Sequence, residues 1–397
     1  MDIISELDGK RILIWGYGRE GKATEHFPER CAKPASVDIF EGKREEINED
    51  AYDFIIKSPG IVMKEENPKY TSETELFLQQ FRDQVIGITG TKGKSTTSAM
   101  LYTVLKACSG RPVLLLGNIG QPCLDYFEEV TEDTIIVYEM SCHQLAHTNV
   151  SPHIAIFLNL YEEHLDYYGT VEKYFEAKSH IAAYQKSGDF FFVGENVPKI
   201  ETKAEKTVLH QPKDVHYKLK LAGEHNQYDA QFVEHVAELL GCEKEAVLKS
   251  MAEFEGLPHR LQYIGTYRGV RYFDDSISTI PEAAINAAMS IPDAKTILIG
   301  GMDRGINYDL LITFIREHRE FQFICAYASG KRIFGEVGDC ENCVYVEDLE
   351  QAVEAAVQMT EPGGACILSP AAASYGYFKN FEERGEAFQK YVYAFAQ

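Results

Sequence analysis

The sequence predicts an α/β protein of three domains, each built on a mostly parallel β-sheet covered by helices. Three observations support this fold class. Short apolar runs alternate with helical stretches along the chain. Glycine-rich or polar turns follow many of these runs, where open α/β sheets bind their ligands. The length of 397 residues also exceeds what one hydrophobic core usually supports.

The first predicted domain spans residues 1–83 and begins with the apolar run Arg11–Trp15. The sequence G-Y-G-R-E-G follows at 16–21, and a strand followed by G-x-G-x-x-G is typical of a Rossmann-like nucleotide-binding domain. Asp38 is expected at the end of a second short strand. The sequence K-S-P-G-I at 57–61 follows another apolar run and is a candidate to close the same pocket, with a purely structural β-turn as an equal alternative. Only half of a dinucleotide fold is present, which favours one nucleotide over NAD.

The second predicted domain, residues 84–260, carries the sequence I-T-G-T-K-G-K-S-T-T at 88–97. Gly90 and Gly93 free backbone N–H groups for phosphate oxygens, Lys94 can reach the β- and γ-phosphates, and the Ser95 hydroxyl can bind Mg²⁺. The common form of this motif has glycine where the chain has Ile88. A glycine-rich surface turn is the alternative interpretation.

An amphipathic helix is expected directly after this loop, because apolar residues recur there at i, i+3, i+4 and i+7. These residues are Leu101, Val104, Leu105 and Cys108. Strand, loop and helix therefore come in the order of a P-loop ATPase domain. Further apolar runs at 134–139, 153–159 and 189–193 predict a mostly parallel sheet, with polar residues collected at Glu139 and at 159–164.

The third predicted domain, residues 261–397, repeats the pattern and is expected to be Rossmann-like. Its strands are predicted at 270–273, 296–299 and 365–368. They are followed by D-D-S at 274–276, G-G-M-D-R-G at 300–305 and S-P at 369–370. Pro281 is well placed for the first turn of a helix.

Composition excludes several classes of function. The net charge of −22 argues against nucleic acid or an anionic membrane as partner. No apolar run of about 18 residues occurs, and the first ten residues do not form a signal peptide, so a cytoplasmic location is expected. Nine cysteines without a regular framework fit a reducing compartment. The C-E-N-C sequence at 340–343 is expected to lie in a solvated loop.

Taken in order, the motifs resemble those of the Mur ligase family over nearly the whole chain. The matching segments are G-T-K-G-K-S (90–95), G-N-I-G (117–120), E-M-S-C-H-Q (139–144), N-L-Y-E-E-H-L-D (159–166), Lys178, G-E-H-N (223–226), G-L-P-H-R (256–260), D-D-S (274–276) and L-S-P-A-A-A-S-Y-G-Y-F-K-N-F-E-E-R-G (368–385). The last segment is the most specific, and it looks most like the branch that adds D-glutamate.

The resemblance implies an ATP-dependent, ADP-forming ligase of peptidoglycan synthesis. Such an enzyme joins glutamate, with D-glutamate favoured, to UDP-N-acetylmuramoyl-L-alanine through an acyl phosphate. ATP and Mg²⁺ are the implied cofactors, and the two small molecules are the implied partners. Charge develops on crowded oxygens in this chemistry, so metal ions and cationic side chains must already be in place.

The resemblance also assigns roles to individual residues. The implied metal ligands are Ser95, Glu139, His164 and Lys178, the last as a carbamate. The implied catalytic residues are Lys94, His164, Lys178 and Arg260. The implied nucleotide-binding residues are Gly90, Thr91, Lys92, Gly93, Lys94, Ser95, Thr96, Asn118, Asn226, Arg260 and Asp275. The implied substrate-binding residues are Gly16, Tyr17, Gly18, Arg19, Asp38, Ser58, Gly60, Arg304, Ser374, Lys379 and Phe381.

The chain departs from the branch in ways that leave the glutamate enantiomer open. Ile277 stands where the branch has lysine, so Arg304 or Lys379 is a candidate replacement for the missing cation. Asp229 stands where asparagine is frequent, and Gly376 where aspartate is frequent. A related ligase that adds L-glutamate carries a similar D-D-S-I-S-T pattern, so the same reaction with L-glutamate is the alternative.

Two remote alternatives belong to other classes of protein. An NAD-dependent oxidoreductase built on the 16–21 turn would leave the loop around Lys94 unexplained. A non-catalytic nucleotide-binding protein would have no need for Lys94, Glu139, His164 and Lys178 together.

Overall fold

The computed structural model describes residues 3–61, 67–119, 121–211, 216–221 and 223–396. These residues form three β-sheets and fall into two compact units. The first unit comprises the described residues up to Leu219 together with Glu224–Phe254, and the second comprises those in Lys220–Gly223 and from Glu255 onward. Two sheets lie in the first unit and one in the second. The division into three domains at 83 and 260 stays a prediction.

The first sheet has four parallel strands in the order β2-β1-β3-β4. The elements here are α1 (Ile3–Leu7), β1 (Arg11–Trp15), α2 (Arg19–Cys31), β2 (Ser36–Phe40), β3 (Phe54–Lys57), β4 (Tyr70–Thr71) and α3 (Glu73–Phe81). The predicted strand and glycine turn are confirmed, since β1 ends one residue before the turn and α2 begins within it.

The second sheet has six parallel strands in the order β10-β9-β8-β5-β7-β6. Its elements are β5 (Val85–Thr89), α4 (Lys94–Cys108), β6 (Val113–Gly117), β7 (Ile135–Glu139), α5 (Cys142–Leu145), β8 (Ile154–Phe157), α6 (Leu165–Tyr168), α7 (Val171–Ala183), β9 (Phe190–Gly194), β10 (Glu205–Leu209), α8 (Glu224–Leu239) and α9 (Lys244–Glu253). The chain leaves β5 toward one edge and returns from β7 to β8 on the other side. A reversal of this kind opens a crevice at the carboxyl ends of the strands.

The helix predicted after the phosphate loop is confirmed as α4. Leu101, Val104 and Leu105 are buried, and Cys108 at its last position is half-buried. The apolar spacing therefore identified the face of α4 that packs on the sheet.

The third sheet has six strands in the order β11-β12-β16-β13-β14-β15, and only the pairing of β11 with β12 is antiparallel among them. Its elements are β11 (Gln262–Tyr267), β12 (Val270–Asp274), α10 (Pro281–Ser290), β13 (Ala294–Ile299), α11 (Asp309–Glu317), β14 (Gln322–Ala326), α12 (Tyr327–Val337), β15 (Cys343–Val346), α13 (Leu349–Met359), β16 (Ala365–Leu368) and α14 (Phe381–Phe395). Pro281 is the first residue of α10, as predicted.

Two local predictions are wrong. Asp38 lies in the middle of β2 rather than at its end, because Ile39 and Phe40 continue the pairing with β1. Cys340 and Cys343 are buried rather than solvated, because Cys343 opens β15 and thiols pack as small apolar groups. Within the described part of the chain, no helix is both long and apolar enough to cross a membrane.

Candidate active site

The phosphate loop connects β5 to α4 at the carboxyl edge of the second sheet. Gly93 caps α4 with a φ of 84°, a left-handed conformation that favours glycine. The backbone N–H of Thr91 donates to Asn159 O (2.9 Å), and the N–H of Lys92 donates to Asn159 Oδ1 (2.9 Å). Asn159, which follows β8, therefore fixes the loop from the neighbouring strand. This geometry opens the helix N-terminus to an anion.

Two lysine side chains converge on one carbonyl oxygen of this loop. Lys94 Nζ donates to Gly90 O at 2.9 Å and to Thr91 O at 3.0 Å. Lys178 Nζ, from α7, also donates to Gly90 O at 2.9 Å and to Thr89 Oγ1 at 3.2 Å. The fold thus brings together two predicted catalytic residues that are remote in sequence.

Lys178 is held in an environment that favours its neutral amine. Its side chain is only 1% exposed and lies over the ring of Tyr174, with Nζ 5.0 Å from the ring centroid. Burial, and to a lesser extent the charge of Lys94, lowers the pKa of Lys178 from 10.5 to about 7. Burial also lowers the pKa of Lys94.

Glu139 ends β7 with a fully buried carboxyl group. Asn118 Nδ2 donates to Glu139 Oε1 at 2.7 Å, and the backbone N–H of Asn118 donates to Glu139 O at 3.0 Å. Glu139 Oε2 has no hydrogen-bond partner among the residues that the structure describes. A buried carboxylate oxygen without a donor is a suitable ligand for a hard cation.

A cavity of about 440 Å³ joins these residues within the first unit. Lys94, Asn118, His164 and Lys178 line one part of it. His164 has a φ of 56°, and its ring packs on His143 with centroids 5.2 Å apart. The cavity therefore collects three of the four predicted catalytic residues, Lys94, His164 and Lys178.

The turn of the first sheet contributes to the same unit. Ser58 Oγ donates to Gly16 O at 2.9 Å, so the two segments predicted to close one pocket are indeed adjacent. Gly60 lines the cavity, whereas Asp38 is exposed on β2. The hydroxyl of Tyr17, just before α2, donates to Glu25 Oε2 on that helix. The assignment of Gly16, Tyr17, Gly18, Arg19, Asp38, Ser58 and Gly60 to the substrate stays a prediction.

The remaining predicted nucleotide ligands of the first unit lie on α4 and α8. Ser95 and Thr96 occupy the first turn of α4 and are half-buried. Lys92 is exposed and pairs with Glu163 at 2.7 Å. Asn226 is buried near the start of α8.

The predicted residues of the second unit cluster at the carboxyl edge of the third sheet. Asp275 Oδ2 accepts from Ser278 Oγ (at 2.5 Å) and Ser369 Oγ (at 2.8 Å), and burial raises the pKa of Asp275 to about 6. Arg304 Nη2 donates to Thr279 O at 3.3 Å. Arg260 is exposed. The proposed contact of Arg260, Asn226 and Asp275 with one nucleotide remains a prediction.

The other predicted residues of this unit lie on the segment before α14. Ser374 is buried, and its carbonyl accepts from the N–H of Phe378 at 3.0 Å. Phe381 opens α14, and Phe381 O accepts from Ser276 Oγ at 2.8 Å. The backbone N–H of Lys379 donates to Glu383 Oε2. These contacts fix the backbone of the tail motif against the loop that follows β12.

Sequence reasoning assigned no role to Glu20 and Gln144, which meet in the cavity wall. Gln144 Nε2 donates to Glu20 Oε1 at 2.8 Å. Ser141 and Gln144 form a capping box at the start of α5, and the S-x-x-Q spacing at 141–144 is a sequence signal that could have located it. No local signal pairs Gln144 with a residue of α2.

Comparison with known families and sequences shows that the chain is similar to Mur ligases. The family model of the Mur ligase middle domain matches residues 88–238. UDP-N-acetylmuramoylalanine–D-glutamate ligase of Aquifex aeolicus (strain VF5) is 30% identical, over 96% of this chain and 98% of that protein. The enzyme of the same name from Geobacillus kaustophilus (strain HTA426) is 31% identical, over 96% of each chain.

Solved structures share the fold at lower sequence identity. MurF ligase from Thermotoga maritima, in complex with ADP, is 17% identical with a TM-score of 0.61, over 98% of this chain and 96% of that chain. UDP-N-acetylmuramate-alanine ligase MurC from the same organism is also 17% identical with a TM-score of 0.61, over 97% and 99%. The similarity extends over both compact units.

Proposed function

The chain belongs to the Mur ligase family of ATP-dependent, ADP-forming ligases, and we propose that it joins D-glutamate to the carboxyl group of UDP-N-acetylmuramoyl-L-alanine. The convergence of Lys94 and Lys178 on Gly90 O is the structural observation that supports this most directly. The two amino groups lie near the N-terminus of α4, in the same unit as the buried carboxylate of Glu139, and both lysines line the cavity.

The reaction has two steps. An oxygen of the substrate carboxylate attacks the γ-phosphorus of ATP, the bond to ADP breaks, and an acyl phosphate forms. The amine of glutamate then attacks the acyl carbon, phosphate leaves, and an amide remains. Lys94 is placed to hold phosphate oxygens through both steps, since its ammonium lies in the loop that precedes α4.

The residues present fit Mg²⁺. Ser95 and Glu139 would hold one ion, and His164 and Lys178 a second. Glu139 Oε2 is buried without a donor in the described structure, which is the state expected of a carboxylate that awaits a cation. When bound, Mg²⁺ neutralises the negative charge that develops on the phosphate oxygens.

Lys178 fits the role of a carbamate. A neutral amine adds to CO₂ with loss of one proton, which converts a potential cation into an anionic oxygen ligand. The pKa of about 7 leaves a large neutral fraction at physiological pH, and the side chain lines the cavity. An unmodified lysine, by contrast, has no oxygen to offer a hard cation.

The glutamate is assigned to the second unit, where a cation is needed for its side-chain carboxylate. Ile277 cannot supply this cation, because its side chain is apolar. The hydrogen bond from Arg304 to Thr279 O sets the guanidinium beside the same loop, which supports Arg304 as the replacement. Ser374, Lys379 and Phe381 complete the proposed site.

Each of the three predicted domains binds a different reactant. Residues 1–83 bind the UDP part of the substrate, residues 84–260 bind ATP and Mg²⁺, and residues 261–397 bind the amino acid. We place the enzyme in the cytoplasm, where ATP is supplied.

Phosphate release measured with UDP-N-acetylmuramoyl-L-alanine and either D- or L-glutamate tests the proposal. Turnover that prefers D-glutamate is expected. Preference for L-glutamate would establish the alternative that Ile277 favours. Absence of turnover with both enantiomers would contradict the proposed substrates.

A further inference from the structure

Glu20 is an acid in a cavity that must receive anions. The cavity lining includes Lys94 and Lys178, and it also includes Glu20, Pro59 and Gly60. Glu20 is the single carboxyl group among the described residues that line it. A carboxylate at this place would repel the phosphate or carboxylate oxygens of a bound substrate.

The orientation of the Glu20 carboxyl group is fixed by Gln144. Gln144 Oε1 accepts from the backbone N–H of Ser141 at 2.9 Å, so its Nε2 must point to Glu20 Oε1, 2.8 Å away. Glu20 Oε1 is therefore an acceptor. Glu20 Oε2 is buried and lacks a hydrogen-bond partner in the described structure. That oxygen is the natural position of a proton.

The electrostatic surroundings favour the neutral acid. Burial raises the pKa of Glu20 to about 7, although the bond from Gln144 and the charges of Lys57 and Arg19 oppose this. Burial lowers the pKa of Lys57 to about 8, which weakens its opposition. The other groups that interact electrostatically with Glu20 are Glu73, Cys123 and Tyr138. A bound anion would raise the pKa of Glu20 further, because it disfavours a second negative charge nearby.

We propose that Glu20 determines substrate specificity as a protonated acid, donating the O–H of Oε2 to an anionic oxygen of the nucleotide-sugar substrate. The inference rests on the proposed function and adds a donor to it. A hydrogen bond to an ionised acceptor is stronger than one between neutral groups. The acceptor is an oxygen of either the diphosphate or the carboxylate, since both carry negative charge.

Exchange of the side chains of Glu20 and Gln144 tests whether residue 20 donates or accepts the hydrogen bond. In Glu20→Gln the carbonyl oxygen must face Gln144 Nε2, so the amide NH₂ takes the position of Oε2 and a donor is kept there. In the double variant Glu20→Gln/Gln144→Glu the new carboxylate accepts from Ser141 N and from the amide of residue 20. The residue 20 carbonyl then takes the position of Oε2, and the donor is replaced by an acceptor.

Binding of UDP-N-acetylmuramoyl-L-alanine is measured by calorimetry at pH 7 and pH 9. We expect Glu20→Gln to bind within about threefold of the wild type at pH 7, and the double variant to bind about tenfold or more weakly. From pH 7 to 9 the wild type should lose more affinity than Glu20→Gln, because only the wild type loses the proton. UDP alone serves as a second ligand: the same pattern with UDP identifies the diphosphate as acceptor, and its absence identifies the carboxylate.

Two further variants keep the test decisive if the double variant does not fold. Glu20→Met removes the donor and should bind about tenfold more weakly than Glu20→Gln. Glu75→Gln is the matched control, since Glu75 is buried in the same unit, does not line the cavity and is not one of the groups that act electrostatically on Glu20. It should bind as the wild type does.

The opposite pattern, with Glu20→Gln weak and the double variant restored, would show that Glu20 accepts a hydrogen bond and would overturn the proposal. Equal affinity of all variants would show that Glu20 does not contact the substrate. Wild-type phosphate release is measured in parallel. If the wild type releases phosphate but the variants do not show the expected affinities, only the role of Glu20 is overturned. If the variants show the expected affinities but the wild type releases no phosphate, only the proposed function is overturned.

Discussion

At the scale of the residue, burial, followed by the nearby charge of Lys94, explains why the Lys178 amine loses its proton easily. Both Nζ atoms lie 2.9 Å from Gly90 O, and each ammonium disfavours the other. Lys178 is the more buried of the two, so its pKa falls to about 7. One site thus supplies a cation for phosphate and a neutral amine for modification.

Lys178→Ala should lower the rate of phosphate release by about 10²–10³-fold, the range seen when a single preorganised charge-stabilising group is removed. If the carbamate is the ligand, formate or acetate should restore part of the rate, since either carboxylate can occupy the vacated space. Lys94→Ala is the comparison, because a small acid cannot replace its ammonium. Restoration of both variants, or of neither, would leave Lys178 without this role.

Asp229 makes a stability prediction that depends on pH. It is buried on α8 beside Gly93, where an added Cβ would lie 2.5 Å from Asp229 Oδ2. Burial raises the pKa of Asp229 from 3.8 to about 7. Because its pKa is raised in the folded state, Asp229 contributes stability that is complete below pH 3.8 and is lost as the pH rises through 7.

Asp229→Asn removes this dependence with little change in volume. Relative to the wild type, the variant should gain about 2.5 kcal/mol of stability between pH 5 and pH 8, because the part of the shift below pH 5 is already lost at the lower pH. Denaturant unfolding at the two pH values measures the change. A stability difference that is constant with pH would show that Asp229 is ionised in the folded state throughout.

At the scale of the element, strands and the phosphate loop were predictable because their signals are local. Apolar runs located β1, β5 and β16, and the spacing of Leu101, Val104 and Leu105 gave the buried face of α4. The meeting of α7 with the phosphate loop was implied only by family resemblance. Its physical cause is packing between segments distant in the chain, which periodicity does not encode.

The tight crossing of β1 and α2 gives an element-scale prediction. A Cβ at Gly21 would lie 2.2 Å from Gly16 O, whereas a Cβ at Gly18 would meet nothing within 4 Å. Gly21→Ala should therefore force α2 away from the strand and destabilise the first unit by about 1–3 kcal/mol. Gly18→Ala is the matched control and should unfold at nearly the wild-type temperature. Equal melting temperatures for both variants would contradict this packing.

At the scale of the whole molecule, the acidic chain places its candidate functional cations at sheet edges. The net charge of −22 would repel anionic substrates, yet Lys94 lines the cavity of the first unit and Arg304 lies at the edge of the third sheet. The sequence predicted these cations through motifs. It did not predict Glu20 at the cavity wall, because its partner Gln144 lies on α5, far from α2 in the sequence.

In the proposed reaction, a carboxylate oxygen of UDP-N-acetylmuramoyl-L-alanine becomes an oxygen of the released phosphate. UDP-N-acetylmuramoyl-L-alanine labelled with oxygen-18 in its terminal carboxylate, incubated with ATP, Mg²⁺ and glutamate, tests this by mass spectrometry of the phosphate. Transfer of one labelled oxygen into each phosphate is the expected result, since the acyl phosphate breaks between carbon and oxygen. Phosphate without label, formed while the amide accumulates, would contradict the mechanism.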